Sequence, residues 1–283
     1  MESVQEDKTG ELLQLLRSFG TAVIGYSGGV DSAVLCAAAW RALGRERMLA
    51  CLADGPSLPA SEKRDALATA EQAGFPVRVY GATEMENPDY VRNASDRCYH
   101  CKSDLFLHLR RIAAETGFAH CLYGANADDR DDFRPGHRAA HESGALAPLA
   151  MLGFTKVEIR ALALSWGLSA HDKPASPCLS SRIPYGEKVT RERLTLIEAG
   201  EDLMRRLGFR EFRVRWNDGG ARVEAKISEL YRLFDLGCAE EITRGLLALG
   251  FAHVILDPEG FRSGRLNEAL SSGDKNAMLL LPL

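Results

Sequence analysis

Long apolar runs are missing from this sequence. No stretch approaches the ~20 residues that a membrane-spanning helix needs, and Met1 to Gly10 is polar and acidic, without the apolar centre of a secretion signal. No membrane partner is expected, and the protein is expected to be cytoplasmic. An excess of basic residues is missing too: 35 Lys and Arg stand against 39 Asp and Glu, a net charge of −4. Without a generally basic surface, no nucleic-acid partner is expected. There is neither an internal repeat nor a low-complexity tract. The seven cysteines follow no regular framework. In a reducing compartment they read as thiols, metal ligands or reactive groups rather than as disulfides.

What is present suffices for a substantial core. The 283 residues are 46% hydrophobic and 26% charged, enough for one large or two modest domains. Two are favoured, at 1–175 and 176–283. The chain is organised around Tyr26-Ser27-Gly28-Gly29-Val30-Asp31-Ser32, which follows a β-type run (Thr21 to Tyr26) and leads into the helix-forming Ala33 to Trp40. Glycines at a strand-to-helix turn let backbone N–H groups close around an anion, the helix start adds its positive end, and Ser27 and Ser32 can donate hydrogen bonds. The Walker A lysine is absent and so is G-x-G-x-x-G, which excludes a kinase-type P-loop and a dinucleotide fingerprint. Ser27 to Ser32 instead resembles the PP-loop of the ATP pyrophosphatase superfamily, whose members split ATP into AMP and pyrophosphate.

Strand and helix patterns then alternate. A helix is expected over Glu11 to Phe19, strands at Met48 to Leu52, Val77 to Tyr80 and His120 to Tyr123, and helices over Ala60 to Ala73, Ser103 to Thr116 and, from a capping box, Thr155 to Trp166. This predicts an α/β fold, a parallel sheet with ligands at the carboxyl ends of its strands. The PP-loop and Gly124-Ala125-Asn126-Ala127-Asp128-Asp129 both fall at such ends and should face one site. Asp128 to Pro148 reads as a long loop beside it, and His171 to Tyr185 as a linker or active-site loop. Beyond it comes a smaller α+β block: a helix over Thr190 to Leu207, strand-like Phe212 to Trp216 and Ala221 to Lys226 around an Asn217-Asp218-Gly219-Gly220 turn, a mostly helical Ile227 to Leu249, and a last strand at Ala252 to Leu256.

Several groups could do chemistry. Asp31, with Asp128 or Asp129, could hold Mg²⁺ against a leaving pyrophosphate. Asp129 to Phe133 is no calcium loop, because Phe133 occupies a ligand position. Cys98 and Cys101 form one C-x-x-C, half a zinc site or a redox pair. Cys178 sits between prolines and near Lys173 and Arg182, which favours a thiolate in a fixed loop. Cys36, Cys51, Cys121 and Cys238 lie in apolar contexts and read as core. Arg213 and Arg215 project from one strand face, a receptor for a phosphate monoester or else a charge-balanced sheet face with Arg222 and Glu224.

Taken together, Ser27 to Ser32, Arg97-Cys98-Tyr99-His100-Cys101-Lys102, Gly124 to Asp129, Asp132-Phe133-Arg134-Pro135-Gly136, Asp172 to Gly186 and Phe212-Arg213-Val214-Arg215 resemble the LarE family. These are ATP-dependent sulfur transferases of nickel-pincer nucleotide biosynthesis, and the similarity runs from about residue 20 to Leu270. The resemblance implies a PP-loop domain, a smaller C-terminal domain and a homo-oligomer, a dimer or hexamer. It supplies the substrate, pyridinium-3,5-biscarboxylic acid mononucleotide, whose carboxylates become thiocarboxylates. ATP at Ser27, Gly28, Gly29, Val30, Asp31 and Ser32, with Asn126, Asp128 and Arg182, would adenylate a carboxylate with Mg²⁺ at Asp31 and Asp128. Arg213 and Arg215 would hold the mononucleotide phosphate, with Glu201 and Glu224 near the pyridinium. In sacrificial members the cysteine matching Cys178 gives up its own sulfur. In another branch Cys98, Cys101 and Cys178 match three ligands of a 4Fe–4S cluster that carries a sulfide, and possession of all three thiols assigns this chain there. Asn217-Asp218-Gly219 departs from the more usual His-Gly pair, which concerns the pyridinium contacts. The rival readings are a PP-loop tRNA thiolase and a non-catalytic, ATP-sensing metal-binding protein.

Overall fold

The computed structural model describes residues 2–131, 135–174, 176–262 and 265–268, and the chain divides into two units. Its regular elements are, in order, α1 (Glu2–Phe19), β1 (Ala22–Gly25), α2 (Val30–Leu43), β2 (Met48–Asp54), α3 (Ala60–Ala73), β3 (Val77–Gly81), α4 (Pro88–Arg92), α5 (Arg97–Thr116), β4 (His120–Tyr123), α6 (Pro135–Ser143), α7 (Pro148–Met151), α8 (Lys156–Ser165), α9 (Arg191–Arg206), β5 (Phe212–Asn217), β6 (Gly220–Ala225), α10 (Leu230–Leu233), α11 (Leu236–Leu249) and β7 (Val254–Leu256).

The first unit comprises 2–84 with 98–176. Its four strands are all parallel, in the order β3-β2-β1-β4, with Gly25 opposite Tyr123 at the carboxyl end of the β1–β4 pair. Side chains alternate across the sheet. Ala22, Ile24, Ala50 and Leu52 pack with α1, α2 and Phe154, while Val23 and Cys51 pack on the other face with Phe106, Leu109 and Ala140. Both faces are therefore covered, as short apolar parallel strands require. No helix among the described residues is long and apolar enough to cross a membrane.

Three expectations need correction. The first helix begins well before Glu11, because Lys8 pairs with Glu158 at 2.7 Å and lies 5.0 Å from the Phe154 ring, contacts that its polar sequence does not advertise. The helix expected from Ser103 begins at Arg97, so the C-x-x-C lies within a helical turn. Asp128 to Pro148 is not an open loop: it contains a 3-10 turn at Ala127–Asp131 and the helices α6 and α7, and Ala139 and Ala140 are buried in the core. Residues 132–134 of the Asp132 to Gly136 motif, and Ala175, lie outside the described residues.

The second unit comprises 85–97 with the described residues from 177 onward. A three-stranded sheet, β5-β6-β7, pairs β5 with β6 antiparallel and β6 with β7 parallel. The β5–β6 hairpin turns through Asp218 at φ 45° and Gly219 at φ 80°, the left-handed pair that a two-residue hairpin turn needs. Helices α9 and α11 cover one face, closing a core of Met204, Phe212, Val214, Val223, Ile242, Leu246 and Phe251. The helical stretch from Ile227 is broken at Phe234-Asp235, where the Asp235 side chain accepts from Cys238 N and starts α11 afresh.

The capping box at α8 is complete: Thr155 Oγ1 accepts from Glu158 N at 3.3 Å and Glu158 Oε2 accepts from Thr155 N at 2.7 Å. Burial works to raise the Glu158 pKa, but hydrogen bonds from Lys8 and Thr155 outweigh it and hold the carboxyl below its usual range. A depressed carboxylate pKa gives stability that is present above the unfolded value of about 4.3 and is lost as pH falls through the folded value. Glu158→Ala is therefore expected to cost about 1–2 kcal/mol at neutral pH in chemical denaturation, with the difference from the parent shrinking on acidification.

Candidate active site

The PP-loop is tied together by its own serines. Ser27 Oγ lies 3.1 Å from Ser32 Oγ, Ser27 N donates to Ser32 Oγ at 3.2 Å, and Ser32 Oγ donates to Gly29 O at 3.0 Å. Gly28 sits at φ 75°, and a Cβ there would come within 2.6 Å of Ala66 Cβ, so both conformation and space demand glycine. No side chain caps α2 at Gly29, which leaves its first-turn N–H groups to an external acceptor. Ser27, Gly29 and Val30 line a cleft together with Glu62, Lys156, Arg160 and Lys173. Lys156 Nζ donates to Asp31 Oδ2 at 2.6 Å, and Lys173 pairs with Glu62 at 2.8 Å. Arg160 donates to the carbonyls of His171 and Lys173 at 2.6 and 2.7 Å, fixing the segment that carries Lys173. The cleft thus combines an uncapped helix start with three cationic side chains, the composition of a polyphosphate site.

The loop after β4 meets the PP-loop directly. A Cβ on Gly124 would lie 2.7 Å from Ser32 N, so only glycine allows the two loops this approach. Asn126, buried, accepts from Asp128 N at 2.9 Å and donates its own N–H to Asp129 Oδ2 at 3.1 Å. Asp128 Oδ2 accepts from Lys156 N at 2.8 Å, and so holds the start of α8 and with it Lys156. Of the carboxylates considered for Mg²⁺, Asp31 has the suitable oxygen: Oδ1 is buried without a hydrogen-bond partner, and an orphaned carboxylate oxygen beside a phosphate site fits a hard divalent ion.

In the second unit, Cys178 begins a 3-10 turn, Leu179–Arg182. Arg182 is 1% exposed and spends its donors inside that unit: Nε donates to Glu201 Oε1 at 2.8 Å, and Nη1 donates to Pro177 O at 2.6 Å, Ser181 Oγ at 2.7 Å and Cys178 O at 3.2 Å. Arg182 in this way clamps the Cys178 backbone. Segment 85–97 braces the loop from another direction. Buried Asn93, at φ 58°, donates to Pro184 O and Glu187 O at 2.8 and 2.7 Å, Arg97 donates to Ser180 O at 2.7 Å, and Tyr90 Oη lies 2.7 Å from Ser180 Oγ.

Arg213 and Arg215 do share a face of β5, opposite Glu224 and Arg222 of β6. Arg215 Nε donates to Glu224 Oε1 at 2.8 Å and its Nη1 to Ser181 O at 3.0 Å, so it links this face to the Cys178 turn. Arg213 stacks 4.6 Å from the Phe261 ring, and burial, then the nearby Arg182 charge, push its guanidinium down to about 10. A phosphate dianion would relieve that penalty. Glu201 and Glu224, considered for the pyridinium, are both buried against arginines: Glu201 meets Arg182 and Arg205, Glu224 meets Arg215 and Arg265.

Against known proteins, a model of the NAD synthase family matches residues 11–103. The chain is 40% identical over 266 residues to the uncharacterized protein slr1717 of Synechocystis sp., covering 94% of this chain and 99% of that one. It is 35% identical over 269 residues to the pyridinium-3,5-bisthiocarboxylic acid mononucleotide synthase of Lactiplantibacillus plantarum, covering 93% and 95%. The chain belongs to this synthase family, the LarE family. It is also 32% identical over 145 residues to the NH(3)-dependent NAD(+) synthetase of Methanopyrus kandleri, about half of each chain.

As a LarE-family chain it carries two kinds of cysteine. Burial raises the thiol pKa of Cys36, Cys51 (to about 12), Cys121 and Cys238, which makes them poor nucleophiles. Cys98 is exposed, and Cys101 and Cys178 are half-buried. Cys98 and Cys101 lie three residues apart in the first turns of α5, so one helix presents two thiols, while Cys178 belongs to the second unit. Among the described residues no three His, Cys, Asp or Glu side chains are grouped to hold a metal ion. The sequence reading missed Lys156, Arg160, Glu62, Tyr90 and Asn93. Lys156 and Arg160 had a usable signal, two cations at i and i+4 in the first turns of a capped helix.

Because the Arg182–Glu201 pair is buried on both sides, removing one partner strands a charge. Glu201→Ala is expected to destabilise the chain by about 3–5 kcal/mol, whereas Arg182→Met with Glu201→Leu together should cost less, as measured by chemical denaturation.

Proposed function

We propose that this chain converts the carboxylates of pyridinium-3,5-biscarboxylic acid mononucleotide to thiocarboxylates at the expense of ATP, releasing AMP and pyrophosphate. The observation that carries it is the PP-loop cleft, in which Lys156, Arg160 and Lys173 surround an uncapped helix start. Membership of the synthase family supports the substrate. Residues 1–175 are the ATP-using half in this reading, and 176–283 the substrate-binding half. The protein works in the cytoplasm, as a dimer or hexamer.

The residues divide the work. The α2 start, Ser27 and Lys156 hold the phosphates, and the Asp31 carboxylate would hold Mg²⁺, which would supply positive charge to neutralise the leaving pyrophosphate. A substrate carboxylate oxygen attacks the α-phosphorus, the bond to the pyrophosphate oxygen breaks, and a mixed anhydride with AMP results. Arg213 and Arg215 hold the mononucleotide phosphate as paired guanidinium donors. A sulfur nucleophile then attacks the activated carbonyl, and AMP leaves with the electron pair of the C–O bond.

Two sources of sulfur are compatible with these residues. If Cys178 attacks, loss of its α-proton and cleavage of its Cβ–S bond leave a thiocarboxylate and dehydroalanine. In the other reading Cys98, Cys101 and Cys178 would be the ligands of a 4Fe–4S cluster, and that group would supply sulfide in place of the Cys178 sulfur. Three thiols favour the second reading.

Intact mass before and after incubation of anaerobically reconstituted protein with ATP, Mg²⁺ and the mononucleotide separates them. Repeated product formation with unchanged polypeptide mass is expected; loss of one H₂S at Cys178 for each thiocarboxylate formed would assign a sacrificial sulfur instead. Lys156→Met is expected to lower kcat/KM for ATP by about a hundredfold while leaving mononucleotide binding near its parent value, measured by calorimetric titration.

A further inference from the structure

Beyond β7 the chain stays on the second sheet. Asp257 N donates to Val223 O at 2.9 Å, a turn follows in which Gly260 N donates to Asp257 O at 3.3 Å, and Phe261 N then donates to Ala225 O at 2.8 Å. Val223 and Ala225 are two residues apart on β6, so Phe261 takes up the ladder that β7 began. Gly260 makes this return possible. It sits at φ 72°, and a Cβ there would come within 2.7 Å of Ala225 O, so conformation and space both require glycine. Asp257 Oδ1 accepts from Glu259 N at 2.9 Å and steadies the turn.

The turn delivers one aromatic ring to one guanidinium. β6 lies between β5 and the edge where Phe261 is docked, and Arg213 reaches across it to set its guanidinium carbon 4.6 Å from the centre of the Phe261 ring. Its Nη1 donates to Phe212 O at 2.6 Å. A planar guanidinium with a ring against one face and one nitrogen fixed to a carbonyl keeps its plane, and the directions of its N–H bonds are set with it. The carboxylates near enough to act on Arg213 are engaged by other arginines: Glu201 by Arg182 and Arg205, Glu224 by Arg215 and Arg265. An aromatic face orients a cation without cancelling its charge, which a carboxylate partner would do. A receptor for a phosphate dianion needs that combination.

We infer that Phe261 is a positioning residue for the mononucleotide phosphate, acting through Arg213. The ring fixes the guanidinium plane and shields one face from water, so that little ordering is left to do when the phosphate arrives. Its role rests on the reading of Arg213 and Arg215 as the phosphate receptor.

Calorimetric titration of the full chain with pyridinium-3,5-biscarboxylic acid mononucleotide, together with steady-state kinetics and melting temperature, tests this role. Phe261→Leu keeps an apolar side chain and removes the π face. It is expected to weaken mononucleotide binding and raise the KM about tenfold, with kcat, ATP affinity and melting temperature near their parent values. Phe261→Trp restores an aromatic face and should recover most of the loss. In an Arg213→Met background, Phe261→Leu should cost nothing further, because the ring acts only through that guanidinium. A parent chain that binds no mononucleotide, or an Arg213→Met chain that binds it as the parent does, would remove the phosphate reading and the role of Phe261 with it. Loss of binding in Arg213→Met but not in Phe261→Leu would overturn the role of Phe261 alone. So would a Trp variant no better than the Leu variant, costs that add in the double variant, or a Phe261→Leu chain that also loses ATP affinity or melts well below the parent.

Discussion

Everything in the first unit depends on β1 lying between β2 and β4 in a parallel sheet. The chain moves outward in one direction from β1 to β2 and β3, then returns to place β4 on the other side of β1. At such a reversal two loops leave the sheet side by side and in opposite senses, which opens a crevice at the carboxyl ends of the strands. Here those loops are the PP-loop and Gly124 to Asp129, and the contact between Gly124 and Ser32 is their meeting point. The second loop contributes through what it holds: Asp128 accepts from Lys156 N and so aims the lysine that reaches Asp31.

The second unit rests on a different constraint, buried charge. Glu201, Glu224 and Asp257 are almost wholly removed from water, and each is opposed by more than one arginine. Such a network is costly to assemble and gives little net stability, but it tolerates few alternative geometries. The Cys178 turn is held by that network through Arg182 and Arg215, and by Tyr90, Asn93 and Arg97. These contacts leave the Cys178 backbone little freedom to drift.

Local chemistry was legible and long-range pairing was not. The PP-loop could be read because glycines, serines and the strand-to-helix switch are consecutive, and the α8 capping box because its two partners are three residues apart. The Asn217 to Gly220 turn and the paired arginines of β5 followed from period-two alternation. Lys8 with Glu158, Arg182 with Glu201, and Asn93 with Pro184 are brought together only by the fold, so nothing near any of them in sequence announces the partner. Arg182 shows the consequence: its sequence neighbourhood does not reveal that it is buried with five acceptor atoms around it, two of them on Glu201. Asp128 likewise holds the start of α8 through Lys156 N, a contact its neighbours in sequence do not announce.

The central claim is that the PP-loop cleft activates a carboxylate by adenylation. Its most direct test follows the fate of ATP with and without pyridinium-3,5-biscarboxylic acid mononucleotide. AMP and pyrophosphate formed in equal amounts, and only when the mononucleotide is present, is the predicted result. ADP and orthophosphate as products, or ATP that binds and is never cleaved, would contradict it.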